Sequence, residues 1–234
     1  KIFPSGGINF DVFQEIENAK EKLHLDPNKK CIGYIGRYEK RKGWEVFLKA
    51  ISLLENVEQY QIVMVGVGED EEKANALIQE YHLENVIKKY PMQTQKELAL
   101  FYSAIDIFCF PTYRKSDSLG LVGLEAMACG CIVIASNMAG PTSYIKNQEN
   151  GFFFKPRDGK DLNQKIEDDK TMYYNETESL IWRIFNCVYF SARQEEKYVK
   201  NFEIKYKKQL SKQAKKDIAI NKANSSNLHW EENI

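Results

Sequence analysis

The chain has 234 residues, 43% of them hydrophobic, enough for one sizeable α/β domain and an appendage. Lys plus Arg and Asp plus Glu both number 33, and the resulting zero net charge argues against bulk binding to nucleic acid. The five cysteines show no disulfide spacing, and the histidines (His24, His82, His229) stand apart from them, so neither a disulfide framework nor a zinc site is expected. Reduced thiols in a cytosolic protein are the expectation, and no apolar run approaches the length of a membrane span.

The chain opens at Lys1 with the turn-rich "KIFPSGGINFDVF" (1–13), which reads as the middle of a longer chain. A polar, helix-like pattern covers 14–24 and stops near Asp26-Pro27. Alternating units follow. "CIGYIGR" (31–37) is a short β-branched strand, followed by a helix over 43–55. "QIVMVGVG" (61–68) is a second strand, leading into an acidic-start helix over 69–83. A weaker strand over 85–90 precedes a helix over 95–104, and "DIFCFP" (106–111) is a fourth strand that Pro111 ends. A loop and a helix starting near Leu119-Gly120 come next, then strands over 131–136 and 151–156 and a helix over 158–168.

Short apolar strands alternating with longer helices predict a doubly wound, Rossmann-like parallel sheet over 14–170, with helices on both faces. Ligands bind such sheets beyond the carboxyl ends of the strands, which directs attention to loops 36–43, 66–69, 90–94, 111–119 and 136–142. Residues 171–234 read as a helical C-terminal extension with an apolar stripe at Trp182, Phe185 and Tyr189, then a polar tail. From about Lys205 the tail is Lys-rich; a solvated helix face is the default reading and a peripheral contact with an anionic membrane the alternative.

Three stretches carry candidate chemistry. In "GRYEKRKGW", Arg37 closes a strand and Lys42 precedes the glycine before a helix. Cations beside a helix N-terminus at the ligand edge suit a diphosphate, because amides and macrodipole there favour anions. "VGVGED" places Gly66 and Gly68 after a strand, but it lacks a third glycine, and Asp70 and Glu71 would repel a phosphate; it reads as a tight turn.

The third stretch, "SDSLGLVGLEAMACGC" (116–131), sets Asp117 before a helix start and Glu125 inside the helix. Gly120 permits close backbone approach, and the amides of Leu119, Gly120, Leu121 and Val122 are free to donate. Carboxylates accept only, so hydroxyls are their natural partners. Two acids around an amide-rich helix start suit a phosphorylated, polyhydroxylated ligand such as a sugar nucleotide.

Taken together, "FPSGGINFDVF", "GRYEKRKG", "IVMVGVGED", "ELALFYSAIDIFCFPT", "SDSLGLVGLEAMACGCIVIAS" and "NGFFFKPRD" resemble the C-terminal, donor-binding domain of retaining GT-B glycosyltransferases of the group 1 (family 4) type. The resemblance covers about residues 1–170. It implies that residues 1–13 lead in from another domain, and that an N-terminal acceptor-binding domain is missing from this chain. It implies a nucleotide diphosphate-sugar donor, no metal and no cofactor, and a glycan or lipid-linked acceptor in cell-surface polysaccharide assembly at the inner membrane face.

Residue by residue, the resemblance gives Arg37 and Lys42 the donor diphosphate, Glu125 the ribose hydroxyls and Asp117 the donor sugar. It assigns Ser118 and the 119–122 segment to substrate binding, Gly66 and Gly68 to the glycine turn, and Met92 to the base-stacking loop. Asp117 is shorter than the Glu usual there, and Ser143 stands where many relatives carry an acid. The resemblance further implies that the chain alone would bind donor without transferring efficiently. Alternatives are a non-catalytic nucleotide-sugar-binding subunit working with a separate acceptor-domain partner, and a fragment of a GT-B sugar-nucleotide epimerase. A nicotinamide-dependent oxidoreductase fits the fold class but not the motifs.

Overall fold

The structure, a computed structural model, describes residues 8–116 and 119–168. The expectations for residues 1–7, for Asp117 and Ser118, and for the extension with its aromatic stripe and Lys-rich tail lie outside the described residues.

Each predicted strand forms: β1 (Lys30–Ile35), β2 (Tyr60–Val65), β3 (Ile87–Tyr90), β4 (Ile107–Phe110), β5 (Ile132–Ser136) and β6 (Phe152–Phe154). They make one six-stranded, all-parallel sheet in the order β3-β2-β1-β4-β5-β6. Four strands end one to three residues before the predicted runs do; Gly36, Gly66 and Pro111 directly follow β1, β2 and β4 and already turn away from the ladder. The central strands are apolar on both faces because both are covered. The edges are managed differently: β3 carries Lys88 and Lys89, and β6 has three residues.

Side chains alternate between two cores, as the two-residue strand period requires. Val63, Val65, Phe108, Phe110, Val133 and Ala135 point to one face, where α4 (Gln95–Ala104) and α5 (Leu121–Ala128) pack. Ile62, Met64, Ile107, Cys109 and Ile134 point to the other, under α2 (Trp44–Ile51), α3 (Glu71–Glu80) and α6 (Gly159–Glu167). Among the described residues no helix is long and apolar enough to cross a membrane.

The predicted helix over 14–24 shrinks to one turn, α1 (Ala19–Lys22). Asn18 and His24 flank it with φ of 55° and 54°, left-handed values that interrupt a helix. Tertiary bonds outweigh helix propensity here. Ile16 N–H donates to Ser103 Oγ on α4 (3.0 Å), and Lys20 Nζ reaches Asp106 Oδ2 (2.7 Å). That same oxygen accepts the Cys31 N–H (2.6 Å), so one carboxylate ties α1 to the starts of β1 and β4.

The strand order sets β1 beside β4, with the connections leaving in opposite directions. This is the topological switch point of a doubly wound sheet, where a crevice opens beyond the carboxyl ends.

Candidate functional site

The loops after β1, β2 and β4 lean on one another through main-chain atoms. Gly36 N–H donates to Val65 O (3.0 Å), Tyr38 N–H to Val67 O (3.1 Å), and Asp70 N–H to Tyr38 O (2.9 Å). Gly66 has φ of 145°, and a Cβ there would overlap the Gly36 carbonyl; one at Gly68 would overlap the Tyr38 main chain. The absent side chains of this glycine turn therefore make room for residues 36–38. Gly43 does the same across the crevice: its φ is 78°, and a Cβ would overlap the Pro111 carbonyl. Tyr113 N–H also donates to Arg41 O (3.0 Å), joining the β1 loop to the β4 loop.

On this frame the charges are arranged around Glu39. Its carboxylate lies 3.3 Å from Arg37 on the β1 loop and 3.8 Å from Arg114 on the β4 loop. The Arg37 side chain is 58% exposed, and Arg114 Nε also donates to Ser116 Oγ (2.9 Å). Lys42 ends a 3-10 turn (Lys40–Lys42), half-buried, directly before Gly43 and the start of α2, which no side chain caps. The acids expected to repel a phosphate are both engaged, Asp70 against the Lys40 main chain and Trp44 at the start of α2. Asp70 is buried, and the Lys73 ammonium bonded to it holds its carboxyl below the usual range, while Glu71 pairs with Lys89 (3.0 Å).

The start of α5 is the second half of the site. Gly120, with φ of 69°, sits where a Cβ would come within 2.7 Å of the Phe110 ring, and its carbonyl accepts the Tyr144 hydroxyl (3.1 Å). Among the described residues no side chain caps this helix, whose N-cap is Gly120, so the first-turn amides at Leu121 and Val122 are open to an acceptor. Leu119 is fixed from behind by Gly140, whose missing side chain leaves room for the Leu119 carbonyl. Glu125 lies one turn into α5, half-buried, and the Tyr102 hydroxyl donates to its Oε2 at a long 3.4 Å. Burial raises the Glu125 pKa, and the Tyr102 bond offsets part of that. Tyr102 itself is fully buried, edge-on to Phe13 and Phe108.

Met92 is 63% exposed on the loop after β3, two strands from the crevice. Ser143 is exposed and its hydroxyl donates to Gly140 O (2.6 Å), closing a 3-10 turn. Ala139, which precedes that turn, has φ 53° and ψ −141°, a region an L-residue occupies only under strain.

Arg37, Lys42 and the Leu119–Val122 segment thus come from the loops of adjacent strands, with Glu125 behind them. Glu39, Arg114 and Tyr102 were not singled out in the sequence. A second arginine shortly after the Pro111 strand stop was the available signal for Arg114. Nothing local marked Tyr102 as the partner of Glu125. Among the described residues no group of three or more His, Cys, Asp or Glu side chains could hold a metal ion.

The family model described as "Glycosyl transferases group 1" matches residues 15–173. A D-inositol 3-phosphate glycosyltransferase of Corynebacterium jeikeium (strain K411) is 31% identical over 153 residues, covering 62% of this chain and 36% of that protein. The chain therefore spans about a third of the length of the curated relatives it matches first. Among solved structures, the C-terminal domain of the group 1 family glycosyl transferase LpcC from Francisella tularensis aligns with TM-score 0.64 and 25% identity, over 76% of this chain and 97% of that one. Anabaena Alr3699/HepE, solved with UDP and glucose, aligns with TM-score 0.68 and 19% identity over 80% of this chain and 54% of its own, a likeness of fold.

Proposed function

The chain belongs to the glycosyl transferases group 1 family, and on that footing we propose that its Rossmann-like domain is the donor-binding half of a retaining GT-B glycosyltransferase. The observation that carries this reading is the juxtaposition at the β1/β4 crevice. Two uncapped helix starts, an arginine and a lysine stand at one rim, with a half-buried carboxylate one turn behind. Anions suit the first set and vicinal hydroxyls the second.

In this reading Arg37 and Lys42 hold the diphosphate of a nucleotide-sugar. They neutralise the charge that develops on it as the bond to the sugar breaks, the role a preorganised cation plays for a leaving group. The amides at 119–122 donate to phosphate or sugar oxygens, and Glu125 accepts from the ribose hydroxyls. Asp117 is assigned to the sugar and Ser118 to substrate binding, and exposed Met92 lies on the loop where the base would stack. Glu39 holds Arg37 and Arg114 until the diphosphate replaces it. The near-complete overlap with the LpcC C-terminal domain supports assignment to the C-terminal half, and the UDP and glucose in the HepE complex support the ligand class. The acceptor, a glycan or lipid-linked sugar, would be supplied by a second domain facing this one.

Calorimetric titration with UDP, GDP, ADP and their sugar conjugates, without metal, tests the proposal. Binding within one diphosphate series, weakened by Arg37→Ala, is expected. A folded chain that binds none of them would overturn it. Retention is tested separately by the anomeric configuration of the product formed once the acceptor half is supplied.

A further inference from the structure

A second basic cavity lies beside the β1/β4 crevice, between α2, the start of α6 and the β1 and β4 loops. It has a volume of about 530 Å³ and is lined by Lys40, Arg41, Lys49, Arg157, Tyr113 and Glu45, with Val46 and Gly159 behind them. That size is within the range of small-molecule sites, roughly 300–1,000 Å³.

Its charge balance is lopsided: four cations and one carboxylate line it, with the Lys49 ammonium 5.2 Å over the Tyr81 ring. Among the described residues none of the four is in an ion pair. Such a concentration of like charge is self-repulsive unless an anion occupies it. The cavity walls are held in place independently of any ligand. The Arg157 guanidinium lies over the Tyr113 ring at 4.5 Å, and Arg157 adopts φ of 67°, a backbone geometry uncommon for a side chain of that size. Gly159 lets α6 press directly on the Lys49 stem, since a Cβ there would stand 2.9 Å from Lys49 Cβ and Cγ. The amides at the start of α6 are already taken by Asp158, so the side chains supply the positive potential.

We propose that this cavity is a second anion site, taking a phosphate or diphosphate group on Lys40, Arg41, Lys49 and Arg157, with Tyr113 as its floor. It is separate from the donor reading above and does not depend on it. It is also connected to that crevice. Arg41 accepts the Tyr113 N–H (3.0 Å) and the Thr112 hydroxyl (3.3 Å), so an occupant pulling on Arg41 and Tyr113 acts on the loop that leads to Leu119 and Gly120. The phosphate could belong to a soluble metabolite or to a lipid headgroup; the chemistry recognised is the same.

The test uses the whole 234-residue chain with two probes, inorganic pyrophosphate and vesicles containing phosphatidylglycerol, followed by amide chemical shifts and by co-sedimentation. The variants are Arg37→Ala and the pair Lys49→Gln/Arg157→Gln, half-buried and exposed respectively, each checked for an unchanged melting temperature. Pyrophosphate should shift the amides of Lys49, Tyr113 and Gly159, persist in Arg37→Ala, and bind that site at least about tenfold more weakly in the double variant. Vesicle binding that needs Lys49 and Arg157, with no such shifts from pyrophosphate, supports the same site with a lipid as its source. Shifts confined to residues 36–39 and 119–125 with vesicle binding unaffected by the double variant, or no binding of either probe, overturn the proposal.

Discussion

Replacing Glu125 separates a ligand-binding carboxylate from a structural one. The side chain is half-buried and has one side-chain partner among the described residues, a Tyr102 hydroxyl at 3.4 Å, near the limit of a hydrogen bond. Burial raises its pKa. An acid raised on folding binds more protons in the native than in the unfolded state between its two pKa values, so stability falls as pH rises through that window and remains lowered above it. Keeping Glu125 ionised thus costs the fold something, and Glu125→Gln should be at least as stable as the parent at pH 7. The difference should close as pH drops below about 4.3, the unfolded value. For binding the sign reverses. A charge-assisted hydrogen bond to a ribose hydroxyl is worth about 1.5–3 kcal/mol, so Glu125→Ala should weaken nucleoside diphosphate binding roughly 10- to 150-fold. Calorimetry and urea denaturation at pH 7 and pH 4.5 measure both quantities. A folded variant with unchanged affinity would refute the ribose assignment, and a large loss of stability at pH 7 would show that the carboxylate serves the fold.

Gly66→Ala should destabilise the domain by more than about 2 kcal/mol, read from the urea midpoint, because its Cβ would overlap the Gly36 carbonyl at a φ of 145°. Ala139→Gly should do the reverse, raising stability by about 1 kcal/mol as backbone strain is released; a lowered midpoint would refute the strain. Glu39→Gln removes a competitor for Arg37 and Arg114, and since exposed ion pairs are worth about 0.2–1 kcal/mol, diphosphate affinity should rise up to about fivefold with stability little changed. A fall in affinity would mean that Glu39 orients the arginines instead of competing for them.

Continuous apolar runs made the sheet legible, because a strand buried on both faces has no other composition available to it. "QIVMV" and "IFCF" could not be misplaced for that reason. Residues 14–18 misled because their polar spacing fits a helix, whereas their conformation is decided by Ser103 and Asp106, about ninety residues away. The placement of Arg37, Lys42 and Gly120 at the crevice was legible because each closely follows a strand or precedes a helix in the chain order. Glu39 escaped notice because its significance is relational: it matters only once the fold brings Arg114 from a different loop. Gly66 and Gly68 were recognised as a turn, but the surface they accommodate, residues 36–38, follows only from the register of β1 against β2.

The loops around the crevice touch mainly through carbonyls, amides and missing side chains, at Gly36–Gly66, Tyr38–Gly68 and Gly43–Pro111. Such a rim does not rely on the identity of the groups it displays. The side chains of Arg37 and Met92 extend outward from a support to which they contribute little, so they can be exchanged while the support keeps its shape. A chain built this way can change what it recognises by a few outward substitutions and remain foldable at each step, whereas a single methyl group at Gly66 would close that route.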